Sequence, residues 1–149
     1  MAYPFVHGSF THTLFACIML LALGKMVAEV MGDWRTVTIF VVSGIGGAVA
    51  FAVLLDDPQP LIGAFPPIYG LIGAFTYLLW LRLGQLGAQQ VRAFGLIGML
   101  MLVQLVFGVF FEGGRDWLAD IAAFATGFVL AVALTPGGAA HFLAWMRRR

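Results

Sequence analysis

An all-α, polytopic membrane helix bundle is what this sequence predicts, on three observations. Of its 149 residues, 62% are hydrophobic and only 10% charged, against about 25% charged in soluble domains. A soluble fold of this size has too little interior to hide so much apolar surface, so the chain belongs in a bilayer. The apolar residues fall into five runs at or near spanning length, and the breaks between them are short. Short breaks set consecutive helices side by side and antiparallel. The formal charge of +1 removes any nucleic-acid-binding reading that rests on net charge.

The first run extends from about Phe10 to Met31, with Lys25 and Glu29 near its end. No basic residue precedes Lys25, so the run lacks the charged start of a secretory signal and is expected to stay in the protein. Cys17, the single cysteine, lies inside it; it can form no internal disulfide, and a buried structural role is expected. The second run extends from about Val37 to Leu55. The third opens on Pro66 and Pro67. Proline lacks an N–H and holds φ near the helical value, so the pair marks a helix N-terminus. Arg82 is expected to end that helix after Leu81. It would then measure roughly 24 Å at about 1.5 Å per residue, short of a bilayer core of about 30 Å. Its start is therefore expected below the membrane surface, where non-helical backbone survives only inside protein or beside a water-filled cavity. A cavity near Phe65 follows. The fourth run extends from about Val91 to Phe111 and the fifth from about Trp117 to Leu134.

Five spans put the termini on opposite sides. With the N-terminus outside, Lys25, Arg35, Arg82, Arg92, Arg147, Arg148 and Arg149 all fall on the cytoplasmic side and only Arg115 falls outside, as the positive-inside bias requires. The orientation is N-out, C-in. Asp56, Asp57, Glu112, Asp116 and Asp120 then gather at the outer end. Residues 1–138 form the transmembrane domain. Residues 139–149 form a short tail whose Phe142, Leu143, Trp145 and Met146 precede Arg147, Arg148 and Arg149. The tail suits an interfacial segment against anionic lipid headgroups, or a plain stop-transfer anchor. The expected location is a prokaryotic cytoplasmic membrane.

Small residues punctuate the runs: Ser43, Gly44, Gly46, Gly47 and Ala48 in the second, Gly70, Gly73 and Ala74 in the third, Ala119, Ala122, Ala123 and Gly127 in the fifth. Lipid supplies no hydrophobic drive to helix association, so close approach through small residues has to provide the packing. Gly44, Gly47, Gly70, Gly73, Ala123 and Gly127 are read as packing positions.

These residues carry a resemblance. Gly63, Ala64, Gly70, Gly73 and Ala74 fit G-A-S-G-A-x-x-G-x-x-G-A, the fourth-helix pattern of the rhomboid intramembrane proteases. Glu29, Gly32 and Arg35 resemble the family's E-x-x-G-x-x-R turn, and Ser43-Gly44 with Gly47-Ala48 its third helix. The stretch from Ala119 to Gly127 resembles A-H-x-x-G-F-x-x-G of its sixth helix, and His12 with Ala16 falls on its H-x-x-x-N motif. The resemblance covers roughly Pro4 to Leu134, and the family's first helix has no counterpart in it. It implies a rhomboid-like bundle of five transmembrane helices.

The same alignment implies lost chemistry. The nucleophilic serine falls on Phe65, the next glycine on Pro66, the catalytic histidine on Asp120 and the asparagine on Ala16, while His12 is retained. A serine–histidine dyad needs a hydroxyl and a base within hydrogen-bond reach, and Pro66 removes an N–H where an oxyanion donor is expected. The resemblance therefore implies a pseudoprotease with no catalytic residues. Inactive members of the wider group, such as inactive rhomboids and derlins, bind transmembrane clients. The chain is expected to bind transmembrane helices or a second copy, or else to serve as an accessory subunit of a larger membrane complex. His12, Phe65, Tyr69, Asp116 and Asp120 are the partner and cavity candidates. Asp120 admits two readings: a solvated acid facing the positive end of its helix, or a cavity-lining acid that meets a partner's basic group. Tyr69, Trp80 and Trp117 are read as packing or interfacial residues. His7, His12 and His141 give no metal-ligand spacing, and neither metal nor cofactor is expected.

Overall fold

The computed structural model describes residues 10–54, 64–95, 97–99, 102, 117–137, 143, 144, 146 and 147, the side chains of Thr11 and His12 excepted. Among these residues there is no strand. The elements are α1 (Phe10–Met31), α2 (Asp33–Leu54), α3 (Phe65–Gln85), a 3₁₀ turn (Gln90–Phe94) and α4 (Trp117–Leu134). Residues 95, 97–99 and 102 are also helical; the rest of the expected fourth span, up to Phe111, lies outside the described residues.

α1 and α2 meet at one residue. Gly32 takes φ +89, a left-handed conformation that ends α1. Its N–H donates to the Ala28 carbonyl at 2.8 Å and its carbonyl accepts from the Thr36 hydroxyl at 3.0 Å. Arg35 donates to the last-turn carbonyl of Met31 at 3.3 Å. The expected 32–36 loop thus collapses to a single-residue corner. α2 starts at Asp33 rather than Val37, with an acid in its first turn to meet the helix dipole.

The helices pack with a definite polarity. Cβ atoms added at Gly70 and Gly47 would meet Ser43 and Pro66, so α2 and α3 run antiparallel. Gly70 lies against Ala123 and Gly127, and Gly73 against Phe124 and Phe128, so α3 and α4 run parallel. Gly47 also faces Ala119 and Ala123. Phe15 of α1 stacks on Phe65, the first residue of α3, with ring centroids 6.1 Å apart. α3 is the hub: α1, α2, α4 and the 3₁₀ turn all pack on it. Residues Pro66 to Ala74 are buried without interruption. A helix apolar all round is a buried one.

Three helices, over Thr13–Met31, Asp33–Leu54 and Trp117–Leu134, are long and apolar enough to cross a membrane, and only 22%, 28% and 28% of each is buried. Their remaining surface is the face a bilayer covers. Cys17 belongs to that face. It is exposed, which corrects the expected buried role; its neighbour Ala16 turns inward instead, at 2% exposure.

α3 also ends later than expected. Arg82 does not stop it but lies in its last turn, where a cation complements the dipole. The chain turns at Gly87, φ +66. The Gln90 side chain folds back over Gly84 and donates to the Trp80 carbonyl at 3.3 Å.

A candidate site at the start of the central helix

The first turn of α3 is poor in donors. Helices ordinarily leave four N–H groups free at their N-termini. Pro66 and Pro67 have none, so among residues 65–67 only Phe65 retains one. The first intrahelical bond runs from Ile68 N–H to the Ala64 carbonyl at 3.1 Å, and no side chain caps the end. Ala64, Pro66 and Pro67 are all buried. The helix therefore begins inside protein, one of the two settings in which a membrane tolerates such a start.

Around that turn the structure brings together residues from three other helices. Phe65 is half-buried beneath the Phe15 ring, and Ala16 follows Phe15 on α1. Pro66 meets Ala119 and Ala123 around Gly47, where an added Cβ would lie 3.0, 2.8 and 3.2 Å from them. Asp120 stands in the first turn of α4 with 2% of its surface exposed. That burial sets aside the solvated helix-end reading. Tyr69, one turn after Phe65, is 3% exposed and within electrostatic reach of the Asp120 carboxylate. Phe65, Pro66, Tyr69 and Asp120 thus form one cluster. His12 lies on α1 one turn before Ala16, but its side chain is outside the described residues, as are Asp116, Arg148 and Arg149. Arg147 is exposed.

The packing glycines lie just below. Gly44, Gly47, Gly70, Gly73, Ala123 and Gly127 are all buried, and an added Cβ at Gly127 would land on the backbone of Gly70. Ser43 fills the same crossing; its hydroxyl is buried and, among the described residues, has no hydrogen-bond partner.

Among the described residues, lysine and arginine are distributed unequally along the bundle. Lys25, Arg35, Arg82, Arg92 and Arg147 are exposed. They sit at the corner of α1 and α2, at the C-terminal end of α3, or beyond the end of α4. Asp120 sits at the opposite end. The Lys25–Glu29 pair, 3.8 Å apart on α1, is itself exposed and contributes little.

Two participants were not legible beforehand. Phe15 covers Phe65, and nothing in an apolar run distinguishes it from its neighbours. Tyr77 is fully buried deeper in α3, edge-on to Phe128; its spacing of eight from Tyr69 is the one available signal.

The rhomboid domain family matches residues 1–137. The chain is 28% identical over 129 residues to RHOMBOID-like protein 4 of Arabidopsis thaliana, covering 87% of this chain and 32% of that protein. It is 28% identical over 130 residues to the rhomboid protease GluP of Bacillus subtilis (strain 168), covering 87% and 24%. It is 23% identical over 128 residues to the putative rhomboid protease YdcA of the same organism, covering 84% and 61%. The chain thus spans about a third of the first of these relatives and less of the second. No solved structure is a significant match. With the family match spanning nearly its whole length and its helices packed as a membrane bundle, the chain belongs to the rhomboid family.

Proposed function

We propose that this chain is a catalytically inactive rhomboid-like protein that holds transmembrane helices of other membrane proteins without cutting them. The observation that carries the reading is the make-up of the cluster at the start of α3. Phe65 supplies no hydroxyl, Pro66 supplies no N–H, and Asp120 stands where the family pattern has its histidine. Acyl transfer requires a nucleophile with its base and donors aimed at the developing oxyanion. Losing one oxyanion donor alone costs about 10²–10³ in rate.

Five spans and an N-out, C-in orientation belong to the same reading. α3 and α4 run parallel, so the chain has to return from one end of the bundle to the other between Gln85 and Trp117. The apolar run from Val91 to Phe111 is long enough for that crossing. The exposed cations at the end away from Asp120 support that end as the cytoplasmic one.

The test is co-reconstitution of the purified chain with single-span rhomboid substrates. Substrates are expected to stay intact over long incubation while copurifying with the chain. Cleavage that is blocked by a serine-directed fluorophosphonate would overturn the reading.

A further inference from the structure

α1 carries two charges on the side that faces away from the bundle. Its inward stripe is Ala16, Leu23, Val27 and Met31. Ile18, Ala22, Lys25 and Glu29 lie on the opposite side, and all four are exposed. Lys25 and Glu29 form an i,i+4 pair, Nζ to Oε1 3.8 Å, with side chains 77% and 63% exposed. Both lie within the apolar span Thr13–Met31. Lys25 is about 9 Å short of its end, at about 1.5 Å per residue. Charged side chains in membrane spans are rare and ordinarily face protein or a water-filled cavity. Here they face the side that a bilayer would cover.

Their placement around the helix decides what fits them. An α-helix turns about 100° per residue. Ile18 then marks a midline, with Lys25 about 20° to one side of it and Glu29 about 20° to the other. Ile18, Ala22, Lys25 and Glu29 follow one another at spacings of four, three and four, the seam of a parallel helix pair. Ala22 is small, so another helix can come close there. A face with one sign on each side of its midline complements itself. Membrane topology keeps two copies of the chain parallel. A two-fold axis along the membrane normal then sets residues left of one midline beside residues right of the other. Lys25 of each copy comes beside Glu29 of the second copy, and each charge turns from lipid toward an opposite charge. A foreign helix would have to bring both signs in the same order.

We propose that this face of α1 is a self-association surface, through which two copies of the chain pair α1 to α1 with reciprocal Lys25–Glu29 contacts. The pairing is independent of the cluster at the start of α3 and of whether that cluster holds other helices.

The test is energy transfer between donor-labelled and acceptor-labelled full chains in liposomes, over a range of lipid dilutions. Native chains are expected to associate. Lys25→Glu and Glu29→Lys each set like charges against one another. Each variant alone is expected to self-associate at least about tenfold more weakly. Mixed together, the two variants oppose unlike charges again and are expected to pair nearly as tightly as native chains do. A native chain that is monomeric at every dilution would overturn the self-association. Single variants that pair like the native chain, or a mixture no tighter than either variant alone, would overturn the assignment to these two charges. Should a swapped variant fail to fold, oxidative cross-linking in the Cys17→Ser background decides. Ile18→Cys is expected to give dimers much faster than Val30→Cys, which is also exposed but lies about 120° around the helix. Equal rates at the two positions would overturn the α1 pairing.

Discussion

α3 and α1 are nearly equal in length, 21 and 22 residues, and they are built on opposite principles. α1 turns Ala16, Leu23, Val27 and Met31 inward in one stripe and leaves Phe10, Leu14, Ile18, Leu21 and Val30 exposed. α3 is buried at every position but Phe75 from Pro66 to Tyr77, yet that stretch contains two prolines, two glycines, two tyrosines and a threonine. By composition α1 is apolar enough to span a membrane, and α3 is not among the helices that qualify. The more hydrophobic helix is the outer one. In water the order would be reversed, because burial there is driven by apolar area. In a bilayer, lipid tails are as apolar as leucine, so the outside demands hydrophobicity and the inside demands fit. Hydropathy in this chain reports contact with lipid, and small residues report contact with protein.

That contrast is broken most sharply at Gly127. A side chain there would run into the backbone of Gly70, and neither helix can yield without parting from the other. Overpacking costs about 1–3 kcal/mol and more where the obstacle cannot move. Gly127→Leu is expected to lose at least about 3 kcal/mol in mixed-micelle unfolding, or to yield no folded protein. Leu21→Ala, on the exposed face of α1, is expected to stay within about 0.5 kcal/mol of the native chain. Comparable losses from the two would show that the crossing of α3 and α4 is looser than the glycine contacts state.

A smaller effect separates the two ends of α3. Its start is fixed by proline geometry, whereas its end is held by a side chain, the Gln90 amide bonded to the Trp80 carbonyl. A neutral hydrogen bond of this kind contributes about 0.5–1.5 kcal/mol, so Gln90→Ala is expected to cost about 1 kcal/mol. Gly84→Ala displaces the same amide, because the added Cβ would lie 2.5 Å from it. The two substitutions are therefore expected to be non-additive, with Gly84→Ala nearly neutral in the Gln90→Ala background. Full additivity in the double-mutant cycle would mean that Gln90 acts elsewhere.

How far the sequence could be read follows the same division. Pro66 and Pro67 announce the start of α3 because a missing N–H and a fixed φ act locally. Gly47, Gly70 and Gly127 announce close packing because few other reasons place glycine in a helix. The end of α3 lies at Gln85 and not at Arg82, since a charge resembles a membrane boundary while the backbone needs only water to continue past it. The α1–α2 corner differs from the five-residue loop the sequence suggests, because one left-handed glycine, Gly32, reverses the chain by itself. Cys17 and Ala16 could not be told apart: they are neighbours about 100° apart around a helix that is apolar on all faces, so no periodicity marks the inner one. Asp120 admits two readings in the sequence, and tertiary packing decides between buried and solvated.

The smallest expected effect is also the one most specific to the interior of α3. Tyr77 is fully buried, its ring edge-on to Phe128 at 5.6 Å and stacked near Trp80 at 6.1 Å. Its hydroxyl is buried too, and among the described residues it has no hydrogen-bond partner. The neighbouring Thr76 hydroxyl is in the same position, whereas Thr36, Thr126 and Thr135 return theirs to a carbonyl one turn back. A buried polar group without a partner costs about 1–3 kcal/mol, and replacing it by an apolar group of the same shape is neutral or stabilising. Tyr77→Phe keeps every ring contact and removes only the oxygen. It is therefore expected to leave stability unchanged or to raise it by up to about 1 kcal/mol in mixed-micelle unfolding, the reverse of what the loss of a buried group ordinarily does. A loss of more than about 1 kcal/mol would mean that the Tyr77 oxygen is bonded to a group beyond the described residues, and that the interior of α3 is held by polar contacts as well as by fit.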